Sequence, residues 1–316
     1  MIPKCRLLVA DHNSERNSRG GRAVLALLAW ACLACSTAHP LPPKAVELNT
    51  AGARALAEGD LSRAEACLSV AIEYSPRFVE AWVNLGLVEM RRANFEQARR
   101  DLQHARDLNQ DIPAPHHALG LLADSEDRGE DAERHYREAL KVDPGFAPAR
   151  ANLARRLFAR GQFENAREQF QRLVAVQPDE VEGWSGEFEA LAALGRFAEA
   201  HEVLAAARER LGDKASLVLL SARESLARGD WTEAEAALAT VASGSDRARV
   251  GSAWAWIAIA RLGSGNLKGS RDAARAALAI DSGDAVARYA LELAARATRG
   301  AIATETTPSR SAWPSR

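Results

Sequence analysis

The chain has 316 residues, and its 41 Lys and Arg residues nearly balance its 42 Asp and Glu residues. This balance leaves no global positive charge that would attract nucleic acid or an anionic membrane surface. Of the four cysteines only Cys67 lies beyond residue 35, and a single cysteine excludes an internal disulfide framework in the rest of the chain.

The first predicted element is a leader over residues 1–34. A polar, net basic stretch precedes a 12-residue apolar run at 23–34. A run of that length suits the core of a signal peptide, whereas a helix that spans a bilayer needs about 20 apolar residues. The following Ala34, Cys35 and Ser36 resemble a bacterial lipobox, which implies that Cys35 is lipidated and becomes the first residue of the mature chain.

The lipobox resemblance implies a location at the bacterial outer membrane, facing the periplasm. Two other interpretations remain open, namely export with ordinary cleavage, for example after Ala38, and an uncleaved or cytosolic chain. Residues 35–44 contain three prolines and are predicted to form an extended spacer of about 3 Å per residue.

A recurring phrase organises residues 45–298. It reads HYREALKVDP at 135–144 and returns as LSVAIEYSP, FQRLVAVQP and ARAALAIDS at 68–76, 170–178 and 274–282. The period of 34 residues resembles that of the tetratricopeptide repeat (TPR) family. The resemblance implies an all-α superhelical solenoid of seven helical hairpins plus a C-terminal capping helix.

Repeats 1 to 4 are regular and occupy 45–78, 79–112, 113–146 and 147–180. Small residues recur where the two helices of each hairpin meet, and Ala132 and Ala139 are expected between the helices of repeat 3. Glu133, beside them, is expected to be exposed. A proline ends most of these repeats because proline cannot extend the preceding helix.

Repeats 5 to 7, at 181–214, 215–248 and 251–284, depart further from the pattern. Gly183, Gly186 and Glu187 are expected to interrupt the first helix of repeat 5 and to uncouple the two halves of the array. Residues 285–297 predict the capping helix. The tail at 299–316 has no apolar periodicity and is predicted to be disordered.

The sequence predicts a non-enzymatic protein without a cofactor or metal. It contains no HExxH, GxSxG or phosphate-binding glycine motif. The adjacent His116 and His117 point about 100° apart on a helix, so they do not share a metal ion.

The family resemblance also implies a concave groove lined by the first helix of each hairpin, which binds a protein or peptide. The groove begins with the apolar Leu56, Leu87, Met90 and Leu121, which favour an apolar peptide or helix as ligand. The alternative is that these side chains pack against neighbouring helices. Leu226 and Ile259 occupy equivalent positions further along. The predicted partner-binding residues are Leu56, Asn84, Leu87, Met90, His117, Leu121, Asn152, Arg155, Glu189 and Arg223.

The layout of lipobox, proline-containing spacer and repeats resembles the lipoproteins that help to assemble type IV pilus secretins. It implies an outer-membrane scaffold that meets the membrane only through its lipid. Two alternatives remain, a soluble periplasmic or cytosolic adaptor or co-chaperone, and an accessory subunit of an envelope enzyme system.

Overall fold

The computed structural model describes residues 40–298, and this part of the chain is helical without a strand. The predicted leader, Cys35 and the C-terminal tail lie outside the described residues. The helices are α1 Pro43–Glu58, α2 Leu61–Tyr74, α3 Val79–Arg91, α4 Phe95–Leu108, α5 Pro113–Ser125, α6 Gly129–Val142, α7 Ala147–Ala159, α8 Phe163–Val176, α9 Val181–Ala193, α10 Phe197–Leu211, α11 Ala215–Arg228, α12 Trp231–Ala242, α13 Arg247–Gly263, α14 Leu267–Ile280 and α15 Ala285–Thr298.

Consecutive helices pack as antiparallel hairpins, in which the odd-numbered helix is called helix A and the even-numbered helix B. Seven hairpins run from α1–α2 to α13–α14, and α15 packs on both α13 and α14. The predicted all-α solenoid with a capping helix is therefore confirmed.

Small residues let the two helices of a hairpin approach closely. A Cβ atom at Gly120 would lie only 2.4 Å from Cε1 of Tyr136 on the facing helix. Ala132, Ala139 and Tyr136 all have 0% exposure, as expected for residues between the two helices. Any enlargement here would force the hairpin apart.

The array is tighter on the side of its A helices. Most A helices contact the next A helix along the array, for example α3 with α5 and α11 with α13. No comparable contact joins consecutive B helices in the described part of the chain. We define the side formed by the A helices as the A wall; because its helices lie closer together, the array curves toward it.

Both ends of the array present polar side chains. Glu47 and Arg54 of α1 are exposed, whereas the equivalent Ala81 and Val88 of α3 are fully buried against the preceding hairpin. The last helix likewise exposes Arg288, Glu292 and Arg296. Charged side chains therefore face solvent at both ends, as terminal repeats of a solenoid require, although Val46 of α1 is exposed as well.

Two predicted boundaries need correction. Helix α1 begins at Pro43, so residues 43 and 44 belong to the first hairpin and not to the spacer. Proline fits the first turn of a helix, where its missing N–H would have no partner. Helix α13 begins at Arg247, four residues before the predicted repeat, because the Asp246 side chain accepts hydrogen bonds from the N–H groups of Ala248 and Arg249.

The predicted interruption of repeat 5 is wrong. Helix α9 runs without a break through Gly183, Gly186 and Glu187. A Cβ at Gly186 would lie 2.3 Å from the ring of Phe170, and one at Gly183 would lie 2.8 Å from Cγ2 of Val174. Both glycines therefore allow α9 to approach α8 of the preceding repeat, and they strengthen the junction that they were expected to weaken.

The loosest junction lies between repeats 5 and 6, where α10 meets α11. These two helices make the fewest close backbone contacts of any consecutive pair in the described chain. They are joined through Gly212, whose φ of 71° lies in the left-handed region. The link between repeats 5 and 6 includes the pair His201–Glu224, at 3.1 Å, where most other junctions have an Arg–Glu pair.

Those Arg–Glu pairs join helix B of one repeat to helix A, or to the turn after helix A, of the next repeat. They are Arg92–Glu65, Arg99–Glu126, Arg160–Glu133, Arg196–Glu164 and Arg261–Glu235.

The prediction that Glu133 is exposed is wrong. Its exposed fraction is 3%, and its carboxylate accepts hydrogen bonds from Arg160 of the next repeat at 2.8 Å and from Arg137 at 3.0 Å. A buried carboxylate requires such partners. Glu133 is therefore part of the junction between repeats 3 and 4.

Candidate functional site

All the predicted partner-binding residues of the described chain lie on A helices. Arg155 is exposed and the other nine are half-buried. Leu56 lies on α1, Asn84, Leu87 and Met90 on α3, His117 and Leu121 on α5, Asn152 and Arg155 on α7, Glu189 on α9, and Arg223 on α11.

Leu56, Leu87, Met90 and Leu121 form an apolar strip on α1, α3 and α5. Each of them packs in part against buried residues of its own or a neighbouring hairpin. None is fully buried, so each also leaves part of its side chain accessible. The strip therefore combines the two expected roles, packing between repeats and presenting apolar surface.

The polar residues on the A wall connect neighbouring repeats. The Asn84 side-chain amide donates to Oδ1 of Asn49 at 2.8 Å, and the Asn152 amide nitrogen lies 2.8 Å from Nε2 of His117. Each pair joins the A helices of two successive hairpins. These side chains hold the wall together, a role that the sequence pattern alone did not assign to them.

His117 is a neutral residue at pH 7. Its ring lies between Tyr136 and Phe146, with centroid distances of 5.8 and 5.6 Å. Burial, and secondarily the positive charge of Arg155, lower the pKa of His117 to about 4. A neutral imidazole accepts a hydrogen bond at Nε2, which matches the position of the Asn152 amide.

The charged middle of the A wall is internally compensated. Arg155 pairs with Glu182 at 2.7 Å, and Arg223 pairs with Glu189 at 3.2 Å. The Arg223 guanidinium also lies 5.3 Å from the ring centre of Trp256. These arginines already have partners, so the middle of the wall offers less net charge to a ligand than its sequence suggests.

Two residues expected along the same wall are buried. Leu226 has an exposed fraction of 1% and Ile259 of 5%, and both belong to the apolar cluster of the last two hairpins. The positions that stay partly accessible in repeats 1 to 3 are enclosed in repeats 6 and 7, where α13 packs against both α11 and α15.

A half-buried polar link lies beside the apolar strip and was not predicted. The Tyr136 hydroxyl donates to Oδ2 of Asp124 at 2.5 Å, and Nε of Arg156 lies 3.3 Å from Oδ1 of the same carboxylate. Burial and the adjacent Asp124 raise the pKa of Tyr136 far above its ordinary value. An arginine at a position that holds Val88 and Leu122 in earlier repeats was the sequence signal for this link.

The described residues contain no group of three or more His, Cys, Asp or Glu side chains placed to hold a metal ion. Nor does any helix within residues 40–298 have the length and apolar character needed to cross a membrane.

Comparison with known proteins gives a consistent result. Tetratricopeptide repeat models match residues 49–112, 125–186 and 219–285, more than half of the chain. Tetratricopeptide repeat protein 8 of Mus musculus is 33% identical over 88 residues, which are 28% of this chain and 16% of that protein. The chain thus matches less than a fifth of the length of that curated relative.

Two solved structures show the same fold. A tetratricopeptide repeat protein from Parabacteroides merdae has a TM-score of 0.58 at 16% identity, over 80% of this chain and 100% of that chain. PilW, a widely conserved type IV pilus biogenesis factor, has a TM-score of 0.53 at 18% identity, over 63% of this chain and 93% of that chain. At these identities the likeness concerns the fold alone.

Proposed function

Since this chain belongs to the tetratricopeptide repeat family, a family of protein-interaction scaffolds, we propose that it binds an apolar protein segment on the A wall of repeats 1 to 3. We further propose that it is a non-enzymatic lipoprotein, held at the outer membrane through Cys35 and facing the periplasm.

The apolar strip carries the first proposal. Leu56, Leu87, Met90 and Leu121 remain partly accessible on one wall, while the polar residues near them are bonded to each other. A wall whose polar groups are already satisfied gains more by covering apolar surface than by forming new hydrogen bonds. An amphipathic helix or an apolar extended segment is the ligand that fits such a surface.

The location rests on the leader and on Cys35. An apolar run of 12 residues followed by Ala34 and Cys35 matches a lipoprotein signal in layout. The first hairpin begins at Pro43, so only a short segment separates it from the lipidated cysteine. PilW, a type IV pilus biogenesis factor, has the same fold, which supports a role in assembly of an envelope complex.

A double substitution tests the binding surface. Leu87→Glu combined with Leu121→Glu places two charges on the strip, and the partner is expected to be lost while the helical circular dichroism stays unchanged. Leu194→Glu is the matched control, because Leu194 is an exposed leucine outside the strip. Partners are compared by purification from cell envelopes and mass spectrometry. Equal capture by the double variant and by the control would refute the proposed surface.

A separate experiment tests the anchor. Cys35→Ser is expected to move the protein from the membrane fraction to the soluble fraction and to abolish incorporation of labelled fatty acid. Membrane association that persists in this variant would favour an uncleaved tether. A wild-type protein that is soluble would favour the periplasmic or cytosolic adaptor.

A further inference from the structure

The indole of Trp184 lies at the outer edge of the junction between repeats 4 and 5. Its Nε1–H donates to the carbonyl oxygen of Pro178, six residues earlier, at 2.9 Å. Trp82 makes the same bond to Pro76 at 2.9 Å. The two tryptophans are therefore equivalent side chains that close the turn between successive repeats.

The two equivalent sites differ in what covers the indole. His104 stacks edge-on against Trp82, with ring centroids 4.5 Å apart. The residue at the same distance along the chain from Trp184 is Ala206, whose methyl group cannot reach over the ring. An open cleft of about 570 Å³ lies there, lined by Val174, Ala175, Pro178, Trp184, Ala206, Glu209 and Arg210.

The wall of this cleft that α8 and α9 form is fixed by close packing. Gly183, directly before Trp184, brings α9 so near to α8 that a Cβ would lie 2.9 Å from the backbone nitrogen of Val174. The indole is additionally held by its bond to Pro178. A ring that is fixed in this way loses little conformational entropy when a ligand packs against it.

The mouth of the cleft carries one available negative charge. Arg210 lines the cleft, but its guanidinium bonds to Oδ1 of Asp179 at 3.0 Å. Glu209 is exposed, and among the described residues no side chain pairs with its carboxylate. The cleft thus combines an aromatic ring, aliphatic walls and a free carboxylate.

We propose that this cleft binds a basic side chain, an arginine or lysine, from a protein partner. The aliphatic stem would pack on Val174 and Pro178, and the cationic group would lie between the indole of Trp184 and the carboxylate of Glu209. Cations are attracted to the face of an indole, and long basic side chains bury their stems while their charge stays near water. The cleft is lined mainly by B helices, so it is independent of the ligand proposed for the A wall.

The test uses the full chain and a small probe, Nα-acetyl-arginine amide. The probe is followed through the indole ¹H–¹⁵N resonance of Trp184, which is assigned by its loss in Trp184→Phe. A saturable shift is expected with the arginine probe and not with the neutral isostere Nα-acetyl-citrulline amide.

Three variants test the roles of the residues. Ala206→His copies the cover found over Trp82 and is expected to abolish the response. Glu209→Gln is expected to weaken probe binding roughly three- to tenfold. Glu202→Gln is the matched control, because Glu202 is exposed on the same helix two turns earlier; it is expected to leave binding unchanged.

Several results would overturn the proposal. They are the absence of any shift, an equal response to the citrulline probe, and an unchanged affinity in Glu209→Gln. The last comparison still decides the matter if Ala206→His fails to fold.

Discussion

Glu133 allows the strength of a single junction between repeats to be measured. Its carboxylate has an exposed fraction of 3% and accepts hydrogen bonds from Arg160 at 2.8 Å and Arg137 at 3.0 Å. Glu133→Gln keeps the size of the side chain but removes the negative charge and one acceptor oxygen. The variant leaves the two guanidinium groups without their shared carboxylate.

The expected cost follows from the geometry. Hydrogen bonds to charged groups contribute about 1.5–3 kcal/mol when they are buried. The side chains of Arg160 and Arg137 are 40% and 50% exposed, so water replaces part of what they lose. We therefore expect Glu133→Gln to lower the free energy of unfolding by about 1–2 kcal/mol.

Urea unfolding followed by circular dichroism measures this difference. The matched control is Glu130→Gln, one turn earlier, whose side chain is 90% exposed and lies 3.8 Å from Arg160. It is expected to change the free energy of unfolding by less than about 0.5 kcal/mol. If both variants unfold at the same urea concentration, the argument that burial makes Glu133 important is refuted.

The same measurement at several pH values tests the direction in which the contribution of Glu133 to stability changes with pH. Burial alone would raise the pKa of Glu133, but the hydrogen bonds from Arg160 and Arg137 outweigh burial and hold its pKa below 4.5. A lowered folded-state pKa contributes stability above the unfolded-state pKa and loses it as pH falls through the folded-state pKa. The difference between wild type and Glu133→Gln is therefore expected to shrink below about pH 4.5.

Three further predictions concern the core, the histidines and the loosest junction. Ala132→Leu is expected to cost about 1–3 kcal/mol in urea unfolding, because Ala132 is fully buried, whereas the exposed Ala175→Leu stays within about 0.5 kcal/mol. Burial lowers the pKa of His116, His117 and His135 in repeat 3, so stability is complete above their unfolded-state pKa of 6.5 and declines as pH falls below it. With a folded-state pKa of about 4, His117 alone accounts for a loss of about 2 kcal/mol between pH 7 and pH 5, which the variant His117→Gln should not show. Amide hydrogen exchange is expected to be faster in α10 and α11 than in α3 to α8, and equal protection throughout would contradict the sparse α10–α11 packing.

The architecture could be predicted because it depends on the regular spacing of the sequence repeat. A 34-residue repeat with small residues at fixed places specifies hairpins that stack, and small residues such as Gly120 and Ala132 lie between the helices as expected. The predicted capping helix at 285–297 agrees with α15, Ala285–Thr298.

The errors arose where a residue contacts a neighbouring repeat. Gly183 and Gly186 weaken a helix on propensity alone, yet their contacts are with Val174 and Phe170 of the preceding hairpin. Glu133 looks like an ordinary exposed acid, and only the approach of Arg160 from the next hairpin reveals its role. Such contacts depend on the angle between successive hairpins, which the local pattern does not contain.

The helices that carry the candidate residues could be predicted from the sequence, but the contacts of those residues could not. The ten groove residues lie on A helices, as the repeat numbering implied, but His117, Asn152, Arg155, Glu189 and Arg223 are already engaged with partners within the chain. Which positions remain available for a ligand depends on these pairings.

The most direct test of the central claim is site-specific photo-cross-linking in living cells. A photoreactive phenylalanine analogue is placed at Leu87 or Leu121 on the A wall, and at Val70, an exposed residue of α2, as the control. The account predicts one shared adduct from Leu87 and Leu121 and none from Val70. Adducts that form from Val70 while Leu87 and Leu121 give none would contradict the claim that the A wall of repeats 1 to 3 holds the partner.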